Sequence, residues 1–290
     1  MSSNTSTIFQ STINNFLDTK HTVREFKEVE LIQNAVEIHS NNFLDFIDGI
    51  LKSPLWIQWD FQNNPLKQLA LDLAAEIDRL STLHPEPAFH SRRHFMDVCM
   101  MLSYLLMQQE RWCDQSQLTS PWYACKEEKW LLLIAAISHD LGHPGLINKK
   151  PYELEKGSLD LLDTFLSQSM HLEIGISDVL GQISPWILAT DHAYYKALLE
   201  KVSKESRSHV DCMSMLLVEA DLASSVLPNH GFTLAQRLAE EWRINYPEKS
   251  MALTTHAGYL QFLKSLSFVS PQSIEARIPQ ALQITLSTHP

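Results

Sequence analysis

Residues 130–148 read WLLLIAAISHDLGHPGLIN, a stretch in which an unbroken apolar run leads into histidines, an aspartate, glycines and a proline. Apolar side chains three and four apart in Trp130–Ile137 predict a buried helix. The glycine and proline that follow predict that this helix ends soon after the run, so His139 and Asp140 fall in its last turn. The negative end of the helix dipole disfavours a carboxylate at that place. We therefore expect a positively charged partner beside Asp140.

The same helical spacing recurs along the chain, and no stretch alternates apolar and polar residues over the length of a strand. Only 8 of the 290 residues are glycine, about 3% against a usual ~7%, which leaves few of the special turns that β-rich folds need. These features predict an all-α, multi-helix protein. The predicted helical segments are Phe26–Leu51, Leu66–Leu80, His94–Met107, Trp130–Leu141, Leu159–Phe165, Ile174–Leu188, Met213–Leu227 and Leu234–Trp242.

The breaks between these segments are polar and short, and none has the composition of an interdomain linker. We expect a main domain over residues 61–290, preceded by a helical preface, residues 1–60, whose role the sequence leaves open. The acidic segment EFKEVE (25–30) of the preface predicts a solvated helix face. The breaks lie at 113–121, 148–157, 203–209 and 245–250.

Composition argues against several classes of function. A net charge of −11 repels a polyphosphate backbone, so nucleic acid is not an expected partner. The longest apolar run is far shorter than the ~20 residues that cross a bilayer, and the N-terminus lacks a basic segment followed by an apolar one. We expect a cytoplasmic protein without membrane association. The cysteines form no CxxC pair and are expected to be reduced thiols: Cys99, Cys113, Cys125 and Cys212.

Two further stretches place imidazoles or carboxylates beside apolar faces. His90 and His94 in FHSRRHFMDV are four apart, which brings both rings to one end of a helix face. Asp221 in EADLA borders an apolar ridge, whereas Glu219 is expected to point away from it. Because an unpaired buried carboxylate is costly, a shared metal ion is one interpretation. For the His-Asp pair alone, the alternative is a histidine that satisfies the last carbonyls of its helix.

Four segments, in this order, resemble the metal-dependent HD superfamily and, within it, the class I 3′,5′-cyclic nucleotide phosphodiesterases: FHSRRHFMDV (89–98), HDLGHPGLIN (139–148), ILATDH (187–192) and EADLA (219–223). The HPG triplet and Asn148 are more particular to the phosphodiesterases than the His-Asp pair, which HD hydrolases in general share. The resemblance spans roughly residues 85–265. It implies the family's all-α catalytic-domain fold and hydrolysis of cAMP, cGMP or both to the 5′-monophosphate.

The resemblance also implies a role for particular side chains. A first divalent ion is implied to be bound by His94, His139, Asp140 and Asp221; zinc suits these donors, and iron and manganese are the alternatives. Asp140 is implied to bridge to a second ion, magnesium or manganese. The residues implied to orient these ligands and their waters are His143, Asn148, Glu155 and Asp191. His90 is implied to be the general acid that protonates the departing 3′ oxygen, and His256 and Tyr259 are implied to contact the base.

The sequence departs from the family's pattern on the nucleotide side, while the metal ligands are intact. His256 stands where the family has a glutamine, and an imidazole lacks the coplanar donor and acceptor of an amide. Other departures are Ser91, Gly157–Ser158 and Ala223–Ser225. Two alternatives therefore stay open: an HD-type phosphohydrolase for another nucleotide or phosphoester, and a sensor that binds a nucleotide without cleaving it. The expected partner is a small cyclic nucleotide, and a homodimer is left open.

Overall fold

The computed structural model describes residues 2–18, 24–39, 41–112, 118–168 and 176–288. Within these ranges the chain forms sixteen α-helices and no β-strand, which confirms the all-α prediction. Short 3₁₀ turns at His192–Tyr194 and Ser224–Val226 join consecutive helices. None of the described helices has both the length and the apolar character needed to cross a membrane.

Five helices make up the N-terminal part of the chain. The single helix predicted over 26–51 is wrong, because the chain is extended at Asn42 and the Asn42 side chain accepts a hydrogen bond from the Asp45 amide at 2.6 Å, which starts a new helix. The next two helices both begin with a proline, which fits a first turn that lacks amide partners. The helices are α1 (Ser2–Phe16), α2 (Phe26–His39), α3 (Phe43–Leu51), α4 (Pro54–Trp59) and α5 (Pro65–Leu83).

Six helices form the middle of the chain: α6 (Arg92–Trp112), α7 (Lys126–Ser138), α8 (Glu153–Gln168), α9 (Ile176–Leu188), α10 (Tyr195–Val202) and α11 (His209–Ala223). Helix α7 is the central one, since every residue from 129 to 138 is buried. It packs against α5, α6 and α9, while α11 packs against α6 and α9. A helix that is apolar all round needs such neighbours on every side. The central helix ends at Ser138, so the His-Asp pair follows in the turn.

Five helices complete the fold: α12 (His230–Trp242), α13 (Pro247–Leu253), α14 (His256–Leu263), α15 (Pro271–Glu275) and α16 (Ile278–Thr288). The predicted polar break at 245–250 is wrong in part, because α13 begins inside it. Two glycines allow close backbone approach here. A Cβ at Gly231 would lie 2.1 Å from the Ser225 carbonyl oxygen, and one at Gly258 would lie 1.9 Å from the Ala252 carbonyl oxygen. Both positions therefore require glycine.

The first five helices share one hydrophobic core with the rest of the chain. Phe16 of α1 stacks on Tyr104 of α6 with ring centroids 5.2 Å apart. Trp56 of α4 meets Trp130 of α7 edge to face at 5.0 Å. Glu30 of α2 is only 5% exposed, so the solvated face predicted for residues 25–30 is wrong at this residue. The proposed division of the chain at residue 60 stays a prediction.

The cysteines that the structure describes are unpaired thiols. Cys99 and Cys212 are buried, and burial raises the pKa of the Cys212 thiol to about 12. Cys125 is exposed, and Cys113 lies outside the described residues.

Candidate active site

Three helices bring the four predicted metal ligands together. His94 lies in the first turn of α6, His139 and Asp140 follow the last turn of α7, and Asp221 lies near the end of α11. The Nε2 atom of His94 is 3.3 Å from Asp140 Oδ2 and 3.1 Å from Asp221 Oδ1. The Nε2 atom of His139 is 3.1 Å from Asp140 Oδ2 and 3.3 Å from the Nε2 atom of His94. Segments 127 residues apart in sequence, from His94 to Asp221, thus converge on one point.

The converging atoms fit a divalent cation. Two imidazole nitrogens and two carboxylate oxygens form a donor set that suits zinc. The ring of His139 is fixed by a 2.9 Å contact between Nδ1 and the Ala136 carbonyl oxygen, which leaves Nε2 to face the other ligands. Among the described residues His94, His139 and Asp140 place their ligand atoms within 4.8 Å of one another. The chemistry of these four donors determines which divalent ion the site prefers.

Charge is balanced within this cluster. Burial alone would lower the pKa of His94, but its hydrogen bonds to Asp140 and Asp221 raise that pKa to about 10. Burial opposes ionisation of both aspartates, yet the neighbouring histidines hold the pKa of Asp140 and of Asp221 below the usual range. The positive partner expected beside Asp140 is therefore the histidine pair. The same carboxylates are available to a cation when it replaces the protons.

His90 lies beside these ligands, in the turn before α6 and not on the helix face that its spacing from His94 had predicted. Its Nε2 atom is 3.9 Å from Asp140 Oδ2. Its Nδ1 atom is 2.5 Å from Glu241 Oε1, and Glu241 Oε2 accepts hydrogen bonds from the amides of Phe89 and His90 at 2.8 and 3.0 Å. Glu241 thus fixes both the ring and the backbone of the turn.

Glu241 is a site residue that the sequence interpretation missed. Burial would raise the pKa of its carboxyl group, but the hydrogen bonds from His90 and the turn lower that pKa, so Glu241 is ionised. An ionised acceptor at Nδ1 places a hydrogen on that nitrogen and directs Nε2 toward the metal ligands. A signal was present, because Leu234 and Leu238 lie seven and three residues before Glu241 and place it on the inward face of α12.

The residues predicted to orient ligands and waters also lie around the site. The His143 ring stacks on His90 with centroids 3.7 Å apart, and burial lowers the pKa of His143 to about 4, which keeps it neutral. Asn148 Nδ2 donates to Glu155 Oε2 at 2.9 Å. The Asp191 carboxylate accepts hydrogen bonds from the backbone amides of Tyr152 and Ala193, both at 3.0 Å. Ring stacking and these hydrogen bonds therefore fix the orientation of the four side chains.

A cavity of about 590 Å³ opens over the predicted ligands, within the 300–1,000 Å³ common for small-molecule sites. His90, His94, Asp140 and Asp221 line it at one place. Much of the remaining wall is apolar, and the C-terminal helices supply Leu234, Ala235, Leu238, Trp242, Leu253 and Phe262. The arrangement combines an ion-binding cluster, a histidine oriented by a carboxylate, and an apolar pocket for a flat or hydrophobic group.

The two residues predicted to contact a base differ in their placement. Tyr259 lines the cavity, and its hydroxyl donates a 2.7 Å hydrogen bond to the Ser225 carbonyl oxygen. His256 is exposed and does not line the cavity, which corrects the position expected for it. Its ring stacks on Phe232 with centroids 3.9 Å apart. Phe232 does not line the cavity either, so this stacking holds His256 on a residue outside the wall.

Glu219 lies on α11 two residues before Asp221 but contacts a different region. It is fully buried and accepts hydrogen bonds from the Ser270 amide at 3.0 Å and from the hydroxyls of Ser270 and Ser273. The helix side that was expected to point away from the apolar ridge is thus buried too. Glu219 holds the start of α15 and has no contact with the cavity.

Residues 89–157 match the family described as 3'5'-cyclic nucleotide phosphodiesterase. No curated protein matches the sequence. Among solved structures, the phosphodiesterase domain of the RhoPDE fusion protein from the choanoflagellate Salpingoeca rosetta is similar, with a TM-score of 0.58 and 15% identity over 94% of each chain. The structure of LmjPDEB1 in complex with IBMX is similar with a TM-score of 0.64 and 16% identity, over 97% of this chain and 95% of the other.

The family match and the solved structures carry different conclusions. At 15 and 16% identity, the solved structures show the fold, which is shared over nearly the whole chain. The family match contains His90, His94, His139 and Asp140, the residues on which the resemblance depended. The family match bears out the predicted resemblance to the phosphodiesterases and the prediction of an enzyme, and the solved structures bear out the predicted fold.

Proposed function

We propose that this chain, a class I cyclic nucleotide phosphodiesterase-like enzyme, hydrolyses cAMP, cGMP or both to the 5′-monophosphate with His90 as general acid. The observation that carries the proposal is the convergence of His94, His139, Asp140 and Asp221 at the cavity, with His90 beside them. This combination offers a site for cations, a proton donor and room for a nucleotide in one place.

Two divalent ions are proposed as cofactors. His94, His139, Asp140 and Asp221 would hold the first, for which zinc suits the donors, and Asp140 would share the second, magnesium or manganese. When bound, such ions neutralise phosphate oxygens and lower the pKa of a coordinated water. Asn148, Glu155 and Asp191 lie in the cavity wall, and their proposed role is to orient the ligands and their waters.

The proton for the leaving group is proposed to come from His90. An alkoxide is a poor leaving group, so its protonation in the transition state accelerates the reaction, typically by about 10²–10⁴-fold. Glu241 holds Nδ1 of His90, while Nε2 faces the metal ligands. The neutral ring of His143 stacks on His90 and limits its rotation. After the transfer, the neutral imidazole takes a new proton from water at Nε2 while Nδ1 stays hydrogen-bonded to Glu241.

The apolar wall is proposed to receive the base. Tyr259 and Phe262 are the aromatic side chains of α14 in this wall, and aromatic rings pack well against a flat heterocycle. Tyr259 already uses its hydroxyl on the Ser225 carbonyl oxygen, so it would contribute its ring. A wall of this kind binds purines chiefly by shape and apolar contact, which discriminates weakly between similar bases.

The test is direct hydrolysis by protein loaded with zinc and magnesium, followed by chromatography of cAMP and cGMP reaction mixtures. We expect the nucleoside 5′-monophosphate as product. The variant Asp140→Asn should lose both bound metal, measured by elemental analysis, and turnover. Asp163→Asn, at an exposed position of α8, is the matched control and should keep both. Absence of any nucleoside monophosphate at high enzyme concentration would contradict the proposal.

A second candidate is a phosphohydrolase of the same HD type that acts on another nucleotide or phosphoester. It is favoured by the position of His256 outside the cavity wall and by Lys249, whose side chain joins the lining of the cavity. A cation there suits an additional phosphate. Release of inorganic phosphate from nucleoside mono-, di- or triphosphates, without hydrolysis of cyclic nucleotides, would support this candidate. Binding without any turnover would instead support a sensor.

A further inference from the structure

The N-terminal helix α2 presents polar side chains to the back of the cavity wall. Glu30 and Gln33 of this helix are 5% and 3% exposed. Glu30 Oε1 accepts hydrogen bonds from the backbone amides of Asn229 at 2.6 Å and His230 at 3.2 Å. Its other oxygen, Oε2, accepts from the Asn229 side-chain amide at 2.7 Å. One carboxylate thus meets three donors that lie about 200 residues further along the chain.

These three donors belong to the start of helix α12. The first amides of a helix have no partners within it, and a side chain normally caps them from the residue before the helix. Asn229 occupies that place, but its side chain caps no amide of its own helix. Glu30 therefore does the capping from another element, and its negative charge also suits the positive end of the helix dipole.

Gln33 makes a second connection one turn along α2. Its Nε2 atom donates to Ser224 Oγ at 2.6 Å, and both groups are buried. A third buried contact comes from α6, where Asp97 Oδ2 lies 3.3 Å from His230 Nε2. Segment 224–231 is therefore held from behind at both of its ends.

The front of the same segment faces the cavity. Ser225 and Gly231 line it, and the Ser225 carbonyl oxygen accepts the hydroxyl of Tyr259, another lining residue. A Cβ at Gly231 would lie 2.1 Å from the Ser225 carbonyl oxygen and 2.3 Å from the Tyr259 hydroxyl oxygen. Because Gly231 leaves no room for a side chain and Tyr259 is hydrogen-bonded to the segment, a small movement of the segment changes the shape of the pocket.

We propose that Glu30 and Gln33 are positioning residues that set the shape of the substrate pocket by holding segment 224–231 from behind. The inference rests on the proposed function only in that the pocket binds the nucleotide. Neither residue contacts His90, Glu241 or a metal ligand, so the effect belongs to substrate binding and not to the chemical step. The helical preface is thereby assigned a part in recognition.

The kinetic test compares Glu30→Ala, Glu30→Gln and Gln33→Ala with the wild-type enzyme. Removal of an acceptor from buried amides costs enough that we expect KM to rise about 10-fold in Glu30→Ala while kcat stays within about twofold. Glu30→Gln keeps an oxygen acceptor and should restore much of the affinity. The matched controls are Glu28→Gln and Asn34→Ala, both at exposed positions of α2, which should leave KM and kcat unchanged.

A second measurement does not depend on activity. Hydrogen exchange, followed by mass spectrometry on ion-free protein, should show faster exchange in residues 226–234 of Glu30→Ala than of Glu28→Gln, with the central helix α7 unchanged. Unchanged exchange in that segment, or a loss of kcat at constant KM, would overturn the proposal. If the wild-type protein hydrolyses no cyclic nucleotide, the proposed function fails, while a selective change in exchange would still support the contact as a positioning device.

Discussion

Glu241 gives the proposed general acid its direction. The carboxylate binds the ring of His90 at one oxygen and the backbone amides of the same turn at the other, so a single side chain determines where Nε2 points. Such support is specific to a charged acceptor, because the neutral amide of glutamine stabilises a charged imidazole much less. This difference separates the orienting role of Glu241 from simple packing.

We predict that Glu241→Gln lowers kcat by between about 10- and 1,000-fold, the range expected when general acid catalysis is impaired, with KM within about threefold of wild type. The oxygen of the glutamine still accepts the amides of Phe89 and His90, so the thermal midpoint should change little. Steady-state kinetics and a melting curve check both. Glu240→Gln, at the exposed neighbouring position, is the control. An unchanged kcat in Glu241→Gln would remove Glu241 from the mechanism.

His256 and Phe262 lie on the same helix and differ in their relation to the cavity. His256 is outside the wall and stacked on Phe232, whereas Phe262 belongs to the wall. We predict that His256→Ala changes KM for cAMP and cGMP by less than about threefold, while Phe262→Ala raises both about 10-fold through lost apolar contact. A large change in the ratio of the two KM values in His256→Ala alone would show that the imidazole reads the base after all.

Among individual residues, the sequence could predict those that belong to one of the four motif segments. The resemblance of the four segments to the phosphodiesterases implied that His94, His139, Asp140 and Asp221 are neighbours, and they are. Glu241 and Glu30 could not be found in that way, because each acts on a group between about 150 and 200 residues distant and an acidic residue on a helix is most often solvated. Only the inward face of α12 offered a hint of Glu241.

The starts of helices α7 and α11 are joined by one ion pair. Glu128 accepts the Cys125 amide at the start of α7, and its other oxygen lies 2.5 Å from His209 Nε2 at the start of α11. The Nδ1 atom of His209 lies 2.8 Å from the Pro121 carbonyl oxygen. Because both ring nitrogens face acceptors, the charged imidazole is favoured. The hydrogen bond to Glu128 raises the pKa of His209, and although burial opposes it, the bond to His209 lowers the pKa of Glu128.

The directions of these two pKa shifts determine how the stability of the fold changes with pH. The stabilisation from His209 is fully present below its ordinary pKa of 6.5 and is lost as the pH rises through the raised value. The stabilisation from Glu128 is present above its ordinary pKa of 4.5 and is lost as the pH falls through the lowered value. We predict that His209→Gln destabilises the fold by at most about 1 kcal/mol near pH 6, since the pair is partly exposed, and by less at pH 9.

Melting temperatures of wild type and His209→Gln at pH 6 and pH 9 provide the measurement. The exposed His84→Gln serves as the control and should show the same small difference at both pH values. A destabilisation by His209→Gln that is equal at pH 6 and pH 9 would mean that the imidazole acts as a neutral hydrogen-bonding group.

Elements were predicted best where apolar periodicity is long. The helices α5, α6, α7, α9 and α11 all occur where the spacing predicted them, with ends that differ by a few residues. Short helices such as α13 and α14 were not predicted, because each has too few residues to show apolar periodicity, and α13 packs on α12 while α14 packs on α13 through the close approach of Gly258 to Ala252. The break at Asn42 required recognition of a capping side chain within an apolar pattern.

The whole molecule is organised around a core to which the N-terminal helices contribute. Helix α3 packs against α5 and α6, and Ile50 of α3 is fully buried within the shared core. If the chain unfolds as a unit, a substitution that leaves a cavity at α3 should destabilise the helices that carry the metal ligands as much as it destabilises residues 1–60. A separately unfolding preface would instead show its own transition.

We predict that Ile50→Ala destabilises the fold by about 2–5 kcal/mol through lost contacts and a residual cavity, and that unfolding remains a single transition. Calorimetry of wild type and variant checks this, with Ile57→Ala, at a position 59% exposed, as the matched control. Two separate transitions, of which only one shifts in Ile50→Ala, would support independent units divided near residue 60. The sequence alone could not decide between these outcomes, because none of its polar breaks has the composition of an interdomain linker.

The raised pKa of His94, about 10, has a consequence for how the site fills. At neutral pH, His94 is protonated in the ion-free protein, and a cation can bind to its Nε2 atom only when that proton is released. Adding zinc to weakly buffered protein at pH 8 should therefore acidify the solution by about one proton or more per chain. A pH indicator dye would report this, and Asp140→Asn should release less. Acidification of the surroundings should in turn empty the site, which couples occupancy by metal to the proton supply around the enzyme.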